Sequence, residues 1–101
     1  MPRAQLKIPR EKIVDFCKAN RIQKFALFGS VLREDFSPSS DVDVLIEFAP
    51  DARVGLIRLA ALEIELGEIL GRKVDLNTSG FLSRYYRNRI LSEAEIQYDA
   101  A

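Results

Sequence analysis

The chain has 101 residues, of which 48% are hydrophobic and 30% are charged, a composition typical of one water-soluble globular domain. Its 15 basic residues balance its 15 acidic ones, which argues against a protein that coats nucleic acid or an anionic membrane. The absence of histidine excludes Ser-His and Cys-His catalysis and imidazole metal ligands. Any acid–base or metal chemistry must therefore use carboxylates.

Cysteine content and hydropathy indicate the compartment. Cys17 is the one cysteine, which rules out an internal disulfide and fits a reducing cytoplasm. No apolar run approaches the roughly 20 residues of a membrane span, and the segment "MPRAQLKIPR" lacks the apolar core of a signal peptide. We expect a soluble cytoplasmic protein with one domain over 1–101 and no membrane association.

The first half of the chain alternates helical and strand signals. Proline favours the first turn of a helix, glycine stops an aromatic-rich strand, and a Ser/Pro/Asp-rich loop separates the two strands. The predicted elements are a helix from Pro9 to about Asn20, a strand at 24–29, a short helix at 30–34 and a strand at 41–48.

The second half repeats this alternation. The predicted elements are a helix at 54–70, a strand at 73–77, a helix at 79–91 and a short strand at 95–98. Gly71 is a plausible helix stop, and Gly67 inside the helix suggests close packing. The apolar face of that helix is widened by Ile57, Ala60, Ala61 and Ile64. The default expectation is core packing on two sides, and the alternative is a contact with another copy or a partner. The order of elements predicts an α/β domain.

Gly29 and Ser30 end the first predicted strand. Glycine allows close approach of a backbone or ligand, and the N–H groups that follow at a helix start suit phosphate. The Ser30 hydroxyl would add a donor. Turns of this kind are also common in structures that bind no phosphate, so the motif alone decides nothing.

Asp41 and Asp43 open the second strand. Side chains at i and i+2 share a face, about 6 to 7 Å apart, where two carboxylates repel by around 2.5 kcal/mol at an effective dielectric near 20. A cation is needed to offset this, and two hard oxygen ligands near a phosphate-binding turn favour Mg²⁺. Alternatively, Asp41 caps the preceding loop and Asp43 pairs with an arginine.

Asp75 supplies a third strand-borne carboxylate. If its strand neighbours 41–48, the three could hold two metal ions about 3.5 to 4 Å apart, as in phosphoryl or nucleotidyl transfer. The alternative is an edge aspartate paired with Arg72 or Lys73.

The spacing of these residues reads G-S-x10-D-x-D, which resembles the signature of the DNA polymerase beta-type nucleotidyltransferase superfamily. Four fixed positions match by chance in roughly one chain of this length per thousand. The wider sequence resembles minimal nucleotidyltransferases, the antitoxin partners of HEPN-domain proteins, through "FALFGSVLREDFSPSSDVDVLIEF", "LEIELGEILGRKVDL" and "LSRYYRNRILSEAEIQYD". The similarity covers about residues 8–98.

This resemblance implies a polymerase beta-like core, with a small mixed sheet of three to four strands packed by helices. It assigns Gly29 and Ser30 to the nucleotide triphosphate, and Asp41, Asp43 and Asp75 to Mg²⁺ and catalysis, with Asp75 positioning or deprotonating the acceptor hydroxyl.

The same resemblance assigns an arginine to the phosphates. Arg33 matches an arginine that would neutralise phosphate charge, and its alternative is a solvent-facing arginine on a short helix. Glu34 stands where the family often has glycine, and it adds negative charge to this loop.

The implied reaction is transfer of AMP from ATP, with two Mg²⁺ ions, to a tyrosine of a cognate HEPN RNase toxin. The protein would then be an adenylylating antitoxin of a type VII-like module. The acceptor would come from the partner, because an acceptor-holding helical domain like that of larger relatives is missing. One alternative is an inactive antitoxin that acts by binding alone. Another is a transferase that modifies a small molecule or RNA, and no direct contact with nucleic acid is expected.

Overall fold

The computed structural model describes residues 6–78 and 84–100, with side chains described for all of these except 84–87. Its helices are α1 (Arg10–Ala19), α2 (Leu56–Leu70) and α3 (Arg84–Glu93). Its strands are β1 (Ile22–Phe28), β2 (Val42–Phe48), β3 (Val74–Thr78) and β4 (Glu95–Asp99), and a 3₁₀ turn spans Gly29–Leu32.

The predicted order of elements is confirmed, and the differences lie at the boundaries. The helix expected from residue 54 begins at Leu56, because Gly55 at its N-cap is extended. The short helix expected at 30–34 is the 3₁₀ turn and ends at Leu32. The helix expected at 79–91 is described from Arg84 to Glu93, and its predicted first five residues lie outside the described part of the chain.

The four strands form one mixed sheet in the order β3-β2-β1-β4. β1 pairs antiparallel with both β2 and β4, whereas β2 and β3 are parallel and connected through α2. This topology confirms the α/β fold class, including the small mixed sheet of up to four strands packed by helices. It also makes β2 and β3 direct neighbours, which was the condition for grouping the three aspartates.

The main core lies between one face of the sheet and the helices α1 and α2. Alternation along β2 sends Val42, Val44 and Ile46 into this core, where each is fully buried. The opposite face of β2 therefore carries Asp43, Leu45 and Glu47. Because α1 and α2 cover the first face, the acidic side chains of β2 lie on the side away from these helices.

The end of α2 follows the predicted glycines. Gly71 adopts a left-handed conformation with φ of 66° and stops the helix. At Gly67 an added Cβ would lie 3.1 Å from the carbonyl oxygen of Arg72, which confirms the close packing expected there. Within the described residues, none of the helices is long and apolar enough to cross a membrane.

Candidate active site

Asp43 and Asp75 lie side by side on adjacent parallel strands. The register of β2 and β3 places them directly opposite each other, so both side chains are on the same face of the sheet. Neighbouring strands are about 4.8 Å apart, closer than two aspartates separated by two positions along one strand. Their negative charges are close enough to repel each other. The sheet therefore brings together two of the three predicted carboxylates.

Gly29 contacts the Asp43 carboxyl group at the end of β1. It has φ of 74°, the left-handed region that favours glycine, and an ideal Cβ at this position would be 2.2 Å from Asp43 Oδ2. No side chain fits there without moving Asp43. The sequence predicts that a backbone or a ligand approaches Gly29 closely, and in this structure the group that approaches it is the Asp43 carboxylate.

The acidic cluster changes the protonation of Asp43. Its pKa is raised from 3.8 to about 6, first by desolvation and then by the nearby charges of Asp75 and Asp41, with a further contribution from the hydrogen bond to Asp75. Arg33 acts in the opposite direction and lowers this pKa. The net rise means that negative charge at Asp43 is under-compensated, which is the electrostatic condition that a bound cation relieves.

Asp41 and Ser30 meet at the entrance to β2. Asp41 immediately precedes the strand and is exposed. The Ser30 hydroxyl donates a long hydrogen bond of 3.4 Å to the backbone carbonyl of Asp41. The side chain of Asp41 thus stays open to solvent near Asp43, while Ser30 ties the turn after β1 to the start of β2.

Arg33 follows the 3₁₀ turn and is largely exposed, at 63% for its side chain. Its Nε lies 3.4 Å from Asp35 Oδ1, a loose contact with a neighbouring exposed carboxylate. Its positive charge nevertheless lowers the pKa of Asp43. Arg33 is therefore a solvent-accessible cation next to the acidic cluster, available for an anionic ligand.

Arg72 holds the loop before β2, a role that sequence reasoning missed. Its guanidinium donates to the carbonyl oxygens of Ser37 and Ser40 at 2.6 and 2.8 Å and lies over the Phe36 ring, 4.4 Å from the centroid. From the sequence, Arg72 is one of two expected ion-pair partners of Asp75, with Lys73 as the other. Its contacts with the loop indicate instead that it positions the segment leading to Asp41.

The carboxylate oxygens of this site are the type of ligand that Mg²⁺ prefers. This ion usually takes one or two carboxylates together with substrate phosphates and water, so the facing pair of Asp43 and Asp75, with Asp41 nearby, is chemically suited to it. Within 6–78 and 84–100, no group of three or more acidic, histidine or cysteine side chains is gathered closely enough to form a complete metal site. The three-carboxylate, two-ion arrangement stays a prediction.

Comparison with known proteins identifies the family. The model of the nucleotidyltransferase domain family matches residues 10–96. A relative from Methanocaldococcus jannaschii, named "Putative protein adenylyltransferase MJ0435", is 33% identical over 85 residues, covering 84% of this chain and 89% of that protein.

Solved structures show the same fold. The structure of a minimal nucleotidyltransferase is 30% identical, with a TM-score of 0.71 and coverage of 85% of this chain and 86% of that one. A toxin–antitoxin with AMP-PNP gives a TM-score of 0.75 at 20% identity, covering 91% and 74% of the two chains. A complex of a tri-AMPylated HEPN toxin and an MNT antitoxin from Shewanella oneidensis gives 0.66 at 21% identity, covering 89% and 69%.

Proposed function

Because the chain belongs to the nucleotidyltransferase domain family, we propose that it transfers AMP from ATP to a tyrosine of a HEPN-domain RNase toxin and thereby acts as its antitoxin. One observation supports assigning this activity to specific residues. Asp43 and Asp75 face each other on neighbouring strands, beside a glycine whose missing side chain leaves room for the Asp43 carboxylate. This is a concentrated oxygen-ligand site at the start of two adjacent strands, with an exposed arginine next to it.

The proposed reaction is a substitution at the α-phosphorus of ATP. An oxygen of the acceptor hydroxyl bonds to that phosphorus, the bond to the bridging oxygen breaks, and pyrophosphate leaves. Asp41, Asp43 and Asp75 would hold Mg²⁺, which activates the nucleophile and stabilises the charge that develops on the leaving group. Asp75 is the outermost of the two facing carboxylates and is exposed, so it can orient or deprotonate the acceptor hydroxyl.

The other proposed roles follow from position. The turn that starts with Gly29 and Ser30 lies at the end of β1, next to the acidic cluster, and is the proposed contact for the triphosphate. Arg33 is the proposed counter-charge for phosphate oxygens, because it is exposed and its field already reaches Asp43. Arg72 maintains the loop that precedes Asp41 and touches no reacting group.

The comparisons support a HEPN-domain protein as the acceptor. One structural neighbour contains an AMPylated HEPN toxin, and the M. jannaschii relative is named for adenylyl transfer to protein. The exposed carboxylates of Asp41 and Asp75 suit an acceptor presented by a second protein, because α1 and α2 cover the other side of the sheet.

The test uses the purified chain, Mg²⁺ and ATP labelled on the α-phosphate, with and without a candidate HEPN-domain partner. We expect label on the HEPN protein with the wild-type chain, and none with the Asp41→Asn/Asp43→Asn double variant. Asp15→Asn is the matched control, because Asp15 is an exposed aspartate on α1, outside the acidic cluster.

Three outcomes would contradict parts of the proposal. Tight complex formation without label, by wild-type and double variant alike, would mean that the protein neutralises its partner by binding alone. Label on RNA or on a small molecule would mean that the acceptor is not a protein. Label that persists in the double variant would show that Asp41 and Asp43 are not required for transfer.

A further inference from the structure

Three arginines line a cavity at the end of the sheet far from the acidic cluster. Arg21, Arg53 and Arg58 surround a space of about 290 Å³, together with Asn20 and Asp51. The cavity lies before the start of β1 and after the end of β2, whereas the acidic cluster lies at the other ends of these strands. For a strand of seven residues the separation is roughly 20–25 Å. The cavity is therefore distinct from the proposed transfer site.

The charges around this cavity are not balanced. Three arginines face one aspartate, Asp51, and no other acidic residue among the described ones lines the space, which leaves two net positive charges. The chain as a whole has no net charge, so this excess is local. Arg53 is exposed and, within 6–78 and 84–100, makes no hydrogen bond or ion pair. All of its donors are thus available to a ligand.

The start of α2 adds to the positive charge. Its N-cap, Gly55, makes no side-chain capping bond, and the first turn contains no acidic residue. Arg58 instead places a cation where the helix dipole is already positive. Ile57 is 90% exposed, so the core packing expected on two sides of α2 is not found at this end of the helix. The arginines therefore remain open to solvent and to an anion.

Contacts between distant segments hold two of the arginines in place. Arg58 donates a hydrogen bond to Asn20 Oδ1, and Arg21 forms an ion pair with Asp51. These contacts tie the turn before β1 to the segment between β2 and α2. Arg21 is the one described residue other than glycine with a positive φ, 58°, and its carbonyl accepts from the Ala49 N–H at 2.8 Å. Such a backbone conformation persists where surrounding contacts fix it.

We infer that this cavity is a second anion site, which binds a phosphate group of a small molecule. A phosphate monoester carries close to two negative charges at neutral pH, which match the two excess positive charges, and guanidinium groups bind phosphate oxygens in pairs. The volume is at the small end of ligand pockets, and the zero net charge of the chain disfavours a long polyanion such as RNA. The inference does not depend on the proposed transfer reaction.

The first test is an NMR titration of the isotope-labelled full chain with inorganic phosphate, at constant ionic strength and without divalent ions. We expect saturable shifts of the backbone N–H signals of Arg21 and of 52–58, the segments beside the cavity. Arg53→Gln should raise the dissociation constant about tenfold, because it removes a charge-assisted contact. Arg89→Gln is the matched control: it removes the same charge from an exposed arginine on α3 and should leave the dissociation constant unchanged.

Asp51 gives a prediction of the opposite sign. Asp51→Asn removes the one negative charge beside the cavity and releases the Arg21 guanidinium from its ion pair. The dissociation constant for phosphate should therefore fall at least about threefold. An unchanged or raised dissociation constant in this variant would overturn the electrostatic basis of the inference, and the spectrum itself reports whether the chain is folded.

The same spectra separate this cavity from the transfer site. The N–H signals of Gly29 and Ser30 report phosphate bound beside the acidic cluster, and Arg33→Gln should leave the shifts around Arg53 unchanged. Shifts confined to Gly29 and Ser30 would overturn the inference. Shifts that do not saturate, or that Arg89→Gln weakens as much as Arg53→Gln does, would mean general charge screening and would also overturn it. Saturation by single-stranded RNA where inorganic phosphate gives none would contradict the small-molecule assignment.

Discussion

Replacing Asp43 by asparagine should stabilise the folded chain at neutral pH when divalent ions are absent. The carboxyl group is desolvated and lies beside two other carboxylates, and its pKa is raised from 3.8 to about 6. Asparagine occupies nearly the same volume, keeps a donor for Asp75 and carries no charge. The substitution therefore removes the electrostatic penalty while preserving the packing against Gly29.

The sign and size of this stabilisation follow from proton linkage at Asp43. Below pH 3.8 the Asp43 carboxyl is protonated in both the folded and the unfolded chain and contributes no difference. As the pH rises toward 6, the unfolded chain releases this proton first, so the free energy of unfolding falls until the folded chain also ionises. At about 1.36 kcal/mol per pKa unit the full penalty would be about 3 kcal/mol, and partial exposure to solvent reduces it to roughly 1–2 kcal/mol.

The assay is urea unfolding in a chelator, at pH values on both sides of this range. We expect Asp43→Asn and wild type to have similar free energies of unfolding at the acidic end, and the variant to be more stable by about 1–2 kcal/mol above pH 7. Asp15→Asn, at an exposed position on α1, should show no such pH-dependent gain. An Asp43→Asn curve parallel to wild type across the whole range would refute the electrostatic account of the site.

Three other substitutions test the surroundings of the site. Gly29→Ala should destabilise the chain by about 1–3 kcal/mol and abolish transfer, because the added Cβ strains the left-handed backbone and displaces the Asp43 carboxylate. Gly55→Ala is the control: an added Cβ there meets no heavy atom within 4 Å, so stability and transfer should be nearly unchanged. Arg72→Ala should lower the free energy of unfolding by about 1–3 kcal/mol and speed hydrogen exchange in the loop before β2. Arg72→Lys should recover only part of this stability, because lysine lacks the planar guanidinium that donates to two carbonyl groups. Equal behaviour of the two variants would contradict the hydrogen-bonding role. Glu63→Ala should destabilise the chain by about 1–2 kcal/mol in urea unfolding, because the Glu63 carboxylate accepts a hydrogen bond of 2.8 Å from the Leu76 N–H on the edge strand. Glu63→Gln should retain most of the stability, since the amide oxygen can still accept this bond. An alanine variant as stable as wild type would argue against this contact.

The parts of the fold that depend on local pattern could be predicted from the sequence. Apolar spacing placed the helices and strands in the right order, and Gly71 marked the end of α2 as expected. The alternation along β2 is itself enough to predict that Val42 and Val44 lie in the core and Asp43 on the opposite face, as the structure has them. Boundaries were less certain, because residues such as Gly55 can either join a helix or remain extended without a large local cost.

The parts that depend on contacts between distant segments could not be predicted in the same way. Sequence spacing indicated that Asp43 and Asp75 belong together only if their strands are adjacent, and the sheet register decides that question. The contact between Gly29 and the Asp43 carboxylate follows from the antiparallel pairing of β1 and β2. The attachment of Arg72 to the loop spans more than 30 residues, and no local signal distinguishes this arginine from a solvated one.

The space beside Gly29 links two positions during sequence divergence. A side chain at 29 and a carboxylate at 43 compete for the same volume, so one cannot be gained while the other is kept. If a related chain lost the carboxylate, the steric part of this constraint would disappear and only the backbone preference of the left-handed turn would remain. An alanine or serine aligned with Gly29 in a relative would then indicate a chain that has given up catalysis, even where the rest of the motif is still recognisable.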